Sequence, residues 1–203
     1  MTVKNLIQEM QHISSFSIIE ADINEHREYA KDICSQIEES AKARGTGIAK
    51  RSIDYIENKF VEGKGVIAIA DDGTFAGFCY IESWGHNKYV ANSGLIVNPK
   101  FRGTGLAKAI KKKAFQLSRK KYPDAKLFGL TTSLPVMRIN SELGYRPVTF
   151  SELTDDEQFW KGCQSCVNYD ILQRTERKHC LCTGMIFDPK DPRYKSTVDT
   201  GVE

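Results

Sequence analysis

The chain has 203 residues with a formal charge of +3, and its 40% hydrophobic against 27% charged residues exclude wholesale disorder or a fibrous repeat. No apolar run approaches the roughly 18 residues a membrane helix needs, and residues 1–14 carry polar side chains every two or three positions without an apolar stretch before a cleavage site, so no secretory signal is read there. The expectation is a cytoplasmic chain with no membrane partner, of a length suited to one domain with embellishments, in which six cysteines serve packing, metal binding or chemistry as reduced thiols.

Leu6, Ile7, Met10 and Ile13 recur at helical spacing, so residues 1–14 are expected as a helical extension. Residues 16–20 alternate as a first strand, and Asp22 is placed to cap a helix after it. Tyr29, Ile33, Ile37 and Ala41 make one apolar stripe on a helix ending at Arg44-Gly45-Thr46-Gly47, and Ile53, Ile56 and Phe60 mark a second helix. Residues 66–70 and 74–84 flank Asp71-Asp72-Gly73, a hairpin signal. Residues 92–97 form a strand stopped by Pro99, and 105–121 a long helix with Ala107, Ile110, Ala114 and Leu117 on its buried face. A strand over 127–131 comes next, then a helix over 133–143 with Pro135 in its first turn and Gly144 closing it. Residues 180–187 read as a last strand and 188–203 as a loose tail, so the main domain is expected over 15–187 with a cysteine-rich part at 163–182. The order is mixed α/β, without repeats or linkers.

Charge is unevenly spread. Residues 100–126 hold ten basic side chains against one acid, Asp124, for a net +9 that leaves −6 elsewhere. An anionic partner competes there with an ordinary solvated helix face. The local sequence favours the anion: Leu95 to Pro99 ends a strand, Lys100-Phe101-Arg102-Gly103-Thr104-Gly105 is a short basic turn, and Leu106-Ala107 starts a helix. Free amides and the positive dipole end of a helix bind phosphate, and glycines let it approach the backbone. The Walker pattern and the third glycine of a dinucleotide fingerprint are both absent. Lys108, Lys111, Lys112 and Lys113 come directly after the turn, placed to meet further phosphate.

Val97-x-Pro99 followed by Arg102-x-x-Gly105-x-Ala107 resembles the coenzyme A pyrophosphate loop of the GNAT N-acetyltransferase superfamily. A second Arg-Gly-Thr-Gly at 44–47 lacks a strand before it; the copy at 102–105 has the strand before, the basic helix after, and then Leu143-Gly144-Tyr145, which resembles the family's second motif. The resemblance spans about residues 15–150. It implies a GNAT-like acyl-CoA acyltransferase fold, a central, mostly antiparallel sheet flanked by helices. It further implies that Ile96 and Val97 present main-chain groups to the pantetheine arm and thioester, that Arg102, Gly103, Thr104, Gly105, Leu106 and Ala107 hold the pyrophosphate, and that Lys108 reaches the outer phosphate. Acetyl-CoA or another acyl-CoA is then the co-substrate, and a small-molecule amine attacks its thioester while a strand amide stabilises the oxyanion.

The pattern departs from the family in two places. Asn140 stands where many members carry a tyrosine that protonates the departing thiolate, and Ser133 replaces an asparagine; the serine can bond coenzyme A or cap its helix. Glu82, near a strand end on the face of Tyr80, is the best carboxylate for a base. Arg44, Lys50 and Arg51 beside glycines suit an acidic acceptor, such as glutamate receiving the acyl group on its amino group. The whole sequence also resembles single-domain acyltransferases associated with arginine biosynthesis.

Cys163-x2-Cys166 and Cys180-x-Cys182 gather four of the six cysteines into a candidate structural zinc site, set against plain packing on a last strand and a redox role. A coenzyme A-binding sensor without catalysis and a protein N-acetyltransferase are the alternatives to a small-molecule acyltransferase. A nucleic-acid partner is not expected, since no recognition motif accompanies the lysines, and a homodimer is left open.

Overall fold

A computed structural model describes residues 16–45 and 51–193. The expected helical extension at 1–14 and the end of the tail lie outside the described residues. The strands are β1 (Phe16–Glu20), β2 (Gly65–Ala70), β3 (Phe75–Trp84), β4 (Tyr89–Val97), β5 (Lys126–Thr131), β6 (Arg146–Val148) and β7 (Thr183–Phe187). Short α1 (Ile23–His26) starts at Asp22, whose carboxylate accepts from the Asn24 amide at 2.8 Å. It leads into α2 (Ala30–Arg44) and α3 (Ile53–Val61), then α4 (Leu106–Lys121), α5 (Leu134–Glu142), α6 (Glu157–Lys161) and α7 (Tyr169–Arg174).

The strands form one sheet in the order β1-β2-β3-β4-β5-β7-β6. Every neighbouring pair is antiparallel except β4 and β5, so the expected mixed α/β architecture with a mostly antiparallel sheet is the observed one. Among the described residues no helix is long and apolar enough to cross a membrane.

Period-two strands bury both faces of the sheet. On one face, Ile110, Ala114, Phe115 and Leu117 of α4 pack with Val66, Ile81, Leu127 and Phe187. On the other, Ile33 and Ile37 of α2 and Ile56 and Phe60 of α3 cover Ile67, Phe78 and Tyr80. A third cluster covers the β5–β7 end with Phe128, Ile186, Phe150, Trp160 and Leu172. Each large side chain buried this way contributes about 1.5–3 kcal/mol.

Two expected boundaries move by three residues. β4 starts at Tyr89, three residues before the expected 92, and β7 starts at Thr183, leaving Cys180 and Cys182 in the loop ahead of it. Residues 150–174, for which the sequence offers no periodic signal, form short 3-10 and α segments whose single apolar anchors, such as Trp160 and Leu172, give no repeating stripe. Asp188 pairs with Lys126 at 3.1 Å, which ties the start of the expected tail to β5.

Candidate active site

The functional geometry begins where two parallel strands part. β4 and β5 pair only at Tyr89↔Lys126, Val90↔Leu127 and Ala91↔Phe128. Beyond those pairs β4 stays on β3 through Gly77↔Val97, and β5 stays on β7 through Thr131↔Thr183. The two therefore diverge, and residues 92–97 turn their second row of peptide groups toward a gap instead of a strand. Unmet backbone polar groups call for a partner. A bulge sharpens the opening: Phe78 pairs with Ile96 but Tyr80 with Ser93. Gly94 sits in that bulge at φ +65°, and a Cβ there would lie 2.5 Å from the Tyr80 ring, so both the backbone and the close approach require glycine.

At the open end lies the basic turn. Gly103 and Gly105 take φ of +81° and +84°, and a 3-10 turn over Pro99–Phe101 precedes them. Gly105 is the N-cap of α4 and no side chain caps that helix. The first amides of α4 therefore face outward with the positive end of the helix dipole. No atom lies within 4 Å of a Cβ built on Gly103 or Gly105. An open, glycine-lined cradle of amides can accept an anionic group, and the Arg102 Nε is held 3.4 Å from the Val97 carbonyl. Thr104 turns its hydroxyl back to the Phe101 carbonyl at 2.8 Å. Lys108 is engaged instead with Glu142 at 2.8 Å across the surface, a pair worth little in solvent.

A cleft of about 410 Å³ lies at the parting of β4 and β5, lined by residues 91–95 of β4 and 128–131 of β5. One wall belongs to the α3 face. The Arg51 Nε–H donates to the Tyr80 hydroxyl at 2.8 Å, and its guanidinium lies 5.1 Å from the centre of the Tyr55 ring. Ser52 caps α3 by accepting from the Tyr55 amide at 3.2 Å, which fixes Arg51 at the helix entrance. The Tyr55 hydroxyl donates to Glu82 Oε2 at 2.9 Å, and burial, with Tyr80 and Glu82 beside it, pushes that phenol far above its ordinary range. Glu82 also receives Lys59 at 2.6 Å. Its carboxylate is thus held by an ammonium and a phenol.

The opposite wall comes from α4 and α5. Lys111 is 2% exposed, and its Nζ donates to the Asn92 carbonyl at 3.1 Å. Asn92 also donates to Ser118 at 2.7 Å and accepts from the Tyr145 hydroxyl at 2.6 Å. Burial lowers the Lys111 proton affinity, opposed by the Cys79 thiol. Asn140, 1% exposed, offers its amide to Met185 Sδ at 3.6 Å while its buried Oδ1 has no hydrogen-bond partner. Both line the cleft. The run of lysines suggests a phosphate role for Lys111, and the fold gives it a different one. The signal that locates it is helical phase, because Ala107, Lys111, Ala114 and Ser118 succeed one another at steps of four, three and four.

Ile96 is buried and Val97 partly buried at the bulged end of β4. Ser133 stands at the N-cap of α5 and lines the cleft, but its side chain makes no capping bond; its amide donates to Thr131 Oγ1 at 3.0 Å. Arg44 ends α2, and its side chain and Lys50 lie outside the described residues. Cys34 is partly and Cys79 fully buried.

Cys163, Cys166 and Cys182 line the far side of the cleft. Burial, with neighbouring thiols, pushes Cys163 up to about 11 and Cys182 up to about 12. Among the described residues no group of three or more His, Cys, Asp or Glu side chains is arranged to hold a metal ion, so the zinc expectation for Cys163, Cys166, Cys180 and Cys182 is corrected. Cys163, Cys180 and Cys182 pack against a cluster that contains Trp160 and Leu172.

Residues 51–135 match the Acetyltransferase (GNAT) family. No curated protein matches the chain. Among solved structures, N-acetylglutamate synthase from Neisseria gonorrhoeae, complexed with coenzyme A and N-acetyl-glutamate, superposes with a TM-score of 0.61 at 17% identity over 88% of this chain. The chain spans 36% of that protein's length. A GNAT-family acetyltransferase from Staphylococcus aureus gives 0.57 at 17% identity, over 70% of this chain and 92% of that one. Phosphinothricin acetyltransferase from Sinorhizobium meliloti, in complex with AcCoA, gives 0.59 at 13% identity, over 90% of this chain and 93% of that one. At these identities the likeness is one of fold.

Proposed function

We propose, for a chain whose residues 51–135 match the Acetyltransferase (GNAT) family, that it moves an acetyl or related acyl group from coenzyme A to the amino group of a small acceptor. The observation that carries this reading is the junction of the bulged, parted β4 with the amide cradle at Gly103–Gly105 and the start of α4.

The residues divide the work. Arg102 and the amides from Gly103 to Ala107 hold the pyrophosphate; Ile96 and Val97 offer peptide groups to the pantetheine arm. Acyl-CoA, when bound, supplies an activated carbonyl on a sulfur leaving group. On this reading a β4 amide at the bulge donates to oxygen as charge develops, and a donor fixed in advance is worth more than one that must reorganise. Glu82 orients Tyr55, and Tyr55 with Tyr80 orients Arg51.

The acceptor is inferred to carry a carboxylate, with glutamate as the specific candidate. Arg51 at the cleft supports that choice through the planar donor array of a guanidinium, and N-acetyl-glutamate is the molecule named with the Neisseria enzyme of the same fold. Asn140 supports a second reading, a coenzyme A sensor, because a carboxamide cannot supply the proton a thiolate needs. A protein amine in place of a small acceptor is a further outcome of the same assay.

The test is thiol release from acetyl-CoA and succinyl-CoA, at pH 8, with glutamate, neutral and basic amino acids and a peptide amine, for wild type and Arg102→Ala. Turnover with an acidic amino acid, lost in the variant, supports the reading. Coenzyme A binding without turnover on any acceptor favours the sensor, and no binding at all rejects both.

A further inference from the structure

We propose that Lys111 is the proton donor to the departing sulfur, a role that Asn140 cannot fill. The inference rests on the acyl-CoA reading of the cleft. Three observations place the amine there. Lys111 comes from α4, one helical turn inside the amide cradle, yet it points into the cleft and not at the cradle. Its Nζ sits 3.1 Å from the carbonyl of Asn92, the residue immediately after the last β4–β5 pair at Ala91↔Phe128. A Cβ built on Gly129 across the gap would lie 4.0 Å from that same carbonyl and 3.9 Å from Asn140 Nδ2. Lys111, Asn92, Gly129 and Asn140 therefore meet at the point where the strands separate.

Nothing nearby explains a buried ammonium as half of an ion pair. The groups facing it are the Cys79 thiol from β3, the Tyr145 ring at 6.0 Å, the Ser118 hydroxyl on α4, and Asn92. Among the described residues no carboxylate is within salt-bridge distance of it. Burying an unpaired amine is costly, and groups kept at such cost in a cleft are functional candidates. Desolvation is the main cause that lowers its proton affinity. An ammonium whose proton affinity is lowered by burial gives its proton to sulfur more readily than an exposed lysine does.

The step balances. As the acceptor nitrogen bonds to the acyl carbon, the carbon–sulfur bond breaks with its electron pair on sulfur, and Lys111 passes one ammonium proton to that sulfur. The acceptor nitrogen releases its proton to water, and neutral Lys111 recovers one from water in the open cleft. No oxidant or further reactant is needed.

The experiment titrates the thiol of coenzyme A bound to wild type and to Lys111→Met, reading thiolate absorbance against pH, with calorimetry confirming saturation and thermal melting confirming the fold. A neighbouring ammonium lowers the bound thiol's pKa, so wild type is expected to titrate below free coenzyme A and the variant to return to the free value. In the acyl-transfer assay the variant is expected to lose about 100-fold in kcat with KM for acyl-CoA changed less than about threefold, and to lose the high-pH fall in kcat. A bound thiol that titrates at or above the free value in wild type overturns the proposal, even if the variant does not fold. So does an unchanged kcat and pH profile in a folded variant. Failure of wild type to bind coenzyme A is seen first by calorimetry, rejects the acyl-CoA reading, and takes this proposal with it.

Discussion

Lys59 and Glu82 meet at 2.6 Å with side chains only 6% and 16% exposed, and this pair decides what Glu82 can do. A carboxylate held by a buried ammonium and by the Tyr55 hydroxyl is a joint between α3 and β3. Removing one partner of a buried pair costs up to about 3–5 kcal/mol, and because Lys59 keeps Glu62 at 3.2 Å the loss here falls at the low end of that range. Glu82→Gln is expected to lose stability on that scale in chemical denaturation. Lys59→Met combined with Glu82→Gln should recover a large part of it and keep kcat within about tenfold of wild type. A general base would leave the double variant down about 100-fold or more.

Gly94→Ala tests the bulge. The added methyl group meets the Tyr80 ring at 2.5 Å in a backbone already at φ +65°. Strain of this kind costs about 1–3 kcal/mol, and relief can come only by moving β4 or displacing Tyr80 from Arg51. Turnover is expected to fall further than coenzyme A affinity, because the pyrophosphate cradle is left alone; paired kinetics and calorimetry check this.

Gly105→Ala does the opposite. No atom obstructs the new Cβ, but φ is +84°. The loop must relax or the residue remain strained at about 1–3 kcal/mol. The dissociation constant of coenzyme A is expected to rise about tenfold or more by calorimetry, with little change in kcat at saturating acyl-CoA.

Lys111 has a signature in stability that needs no ligand. Its folded pKa is lowered by burial, so between that value and the unfolded value of about 10.4 the unfolded chain binds the extra proton. This contribution makes stability rise with pH across that window. The buried phenol Tyr145 and thiol Cys79 are raised and act in the opposite sense at alkaline pH, so the comparison must be differential. The stability of wild type minus that of Lys111→Met, from denaturant titrations at successive pH values, is expected to increase through the window and level off above it.

The cysteines give a chemical readout. With Cys163 near 11 and Cys182 near 12, alkylation at pH 8 is expected to leave both largely intact in the native protein. Rates should rise about tenfold per pH unit below those values, following the thiolate fraction. Peptide mass mapping after timed quenching reads this directly.

Helical stripes and alternating strands make the sheet and its main helices legible from residue 16 to residue 143, because burial on one face imposes a period. The glycine turn at 103–105 is legible because its neighbours name its context. Lys111 is hidden among Lys111-Lys112-Lys113, where composition argues for solvent and only the phase of the stripe argues for burial. Glu82 is visible as a carboxylate on the right face, but the ammonium of Lys59 comes from a helix 23 positions earlier in the chain, a pairing that only packing creates. The segment 150–174 escapes because short turns anchored by single aromatic residues have no period to read.

The place of β7 has a consequence for how the chain acquires its structure as it is made. Residues 183–187 slot between β5 and β6, two strands synthesised well before them. Until those residues leave the ribosome, β5 and β6 have no hydrogen-bonding partner between them, and the emerging sheet stops at an open edge that can pair with another chain. A ribosome stalled or a message cut short of position 183 would therefore release a product with the amide cradle encoded in full but with one wall of its cleft unsupported. Completion of the sheet by β7 makes the site a late event in synthesis, although every residue of the cradle emerges early.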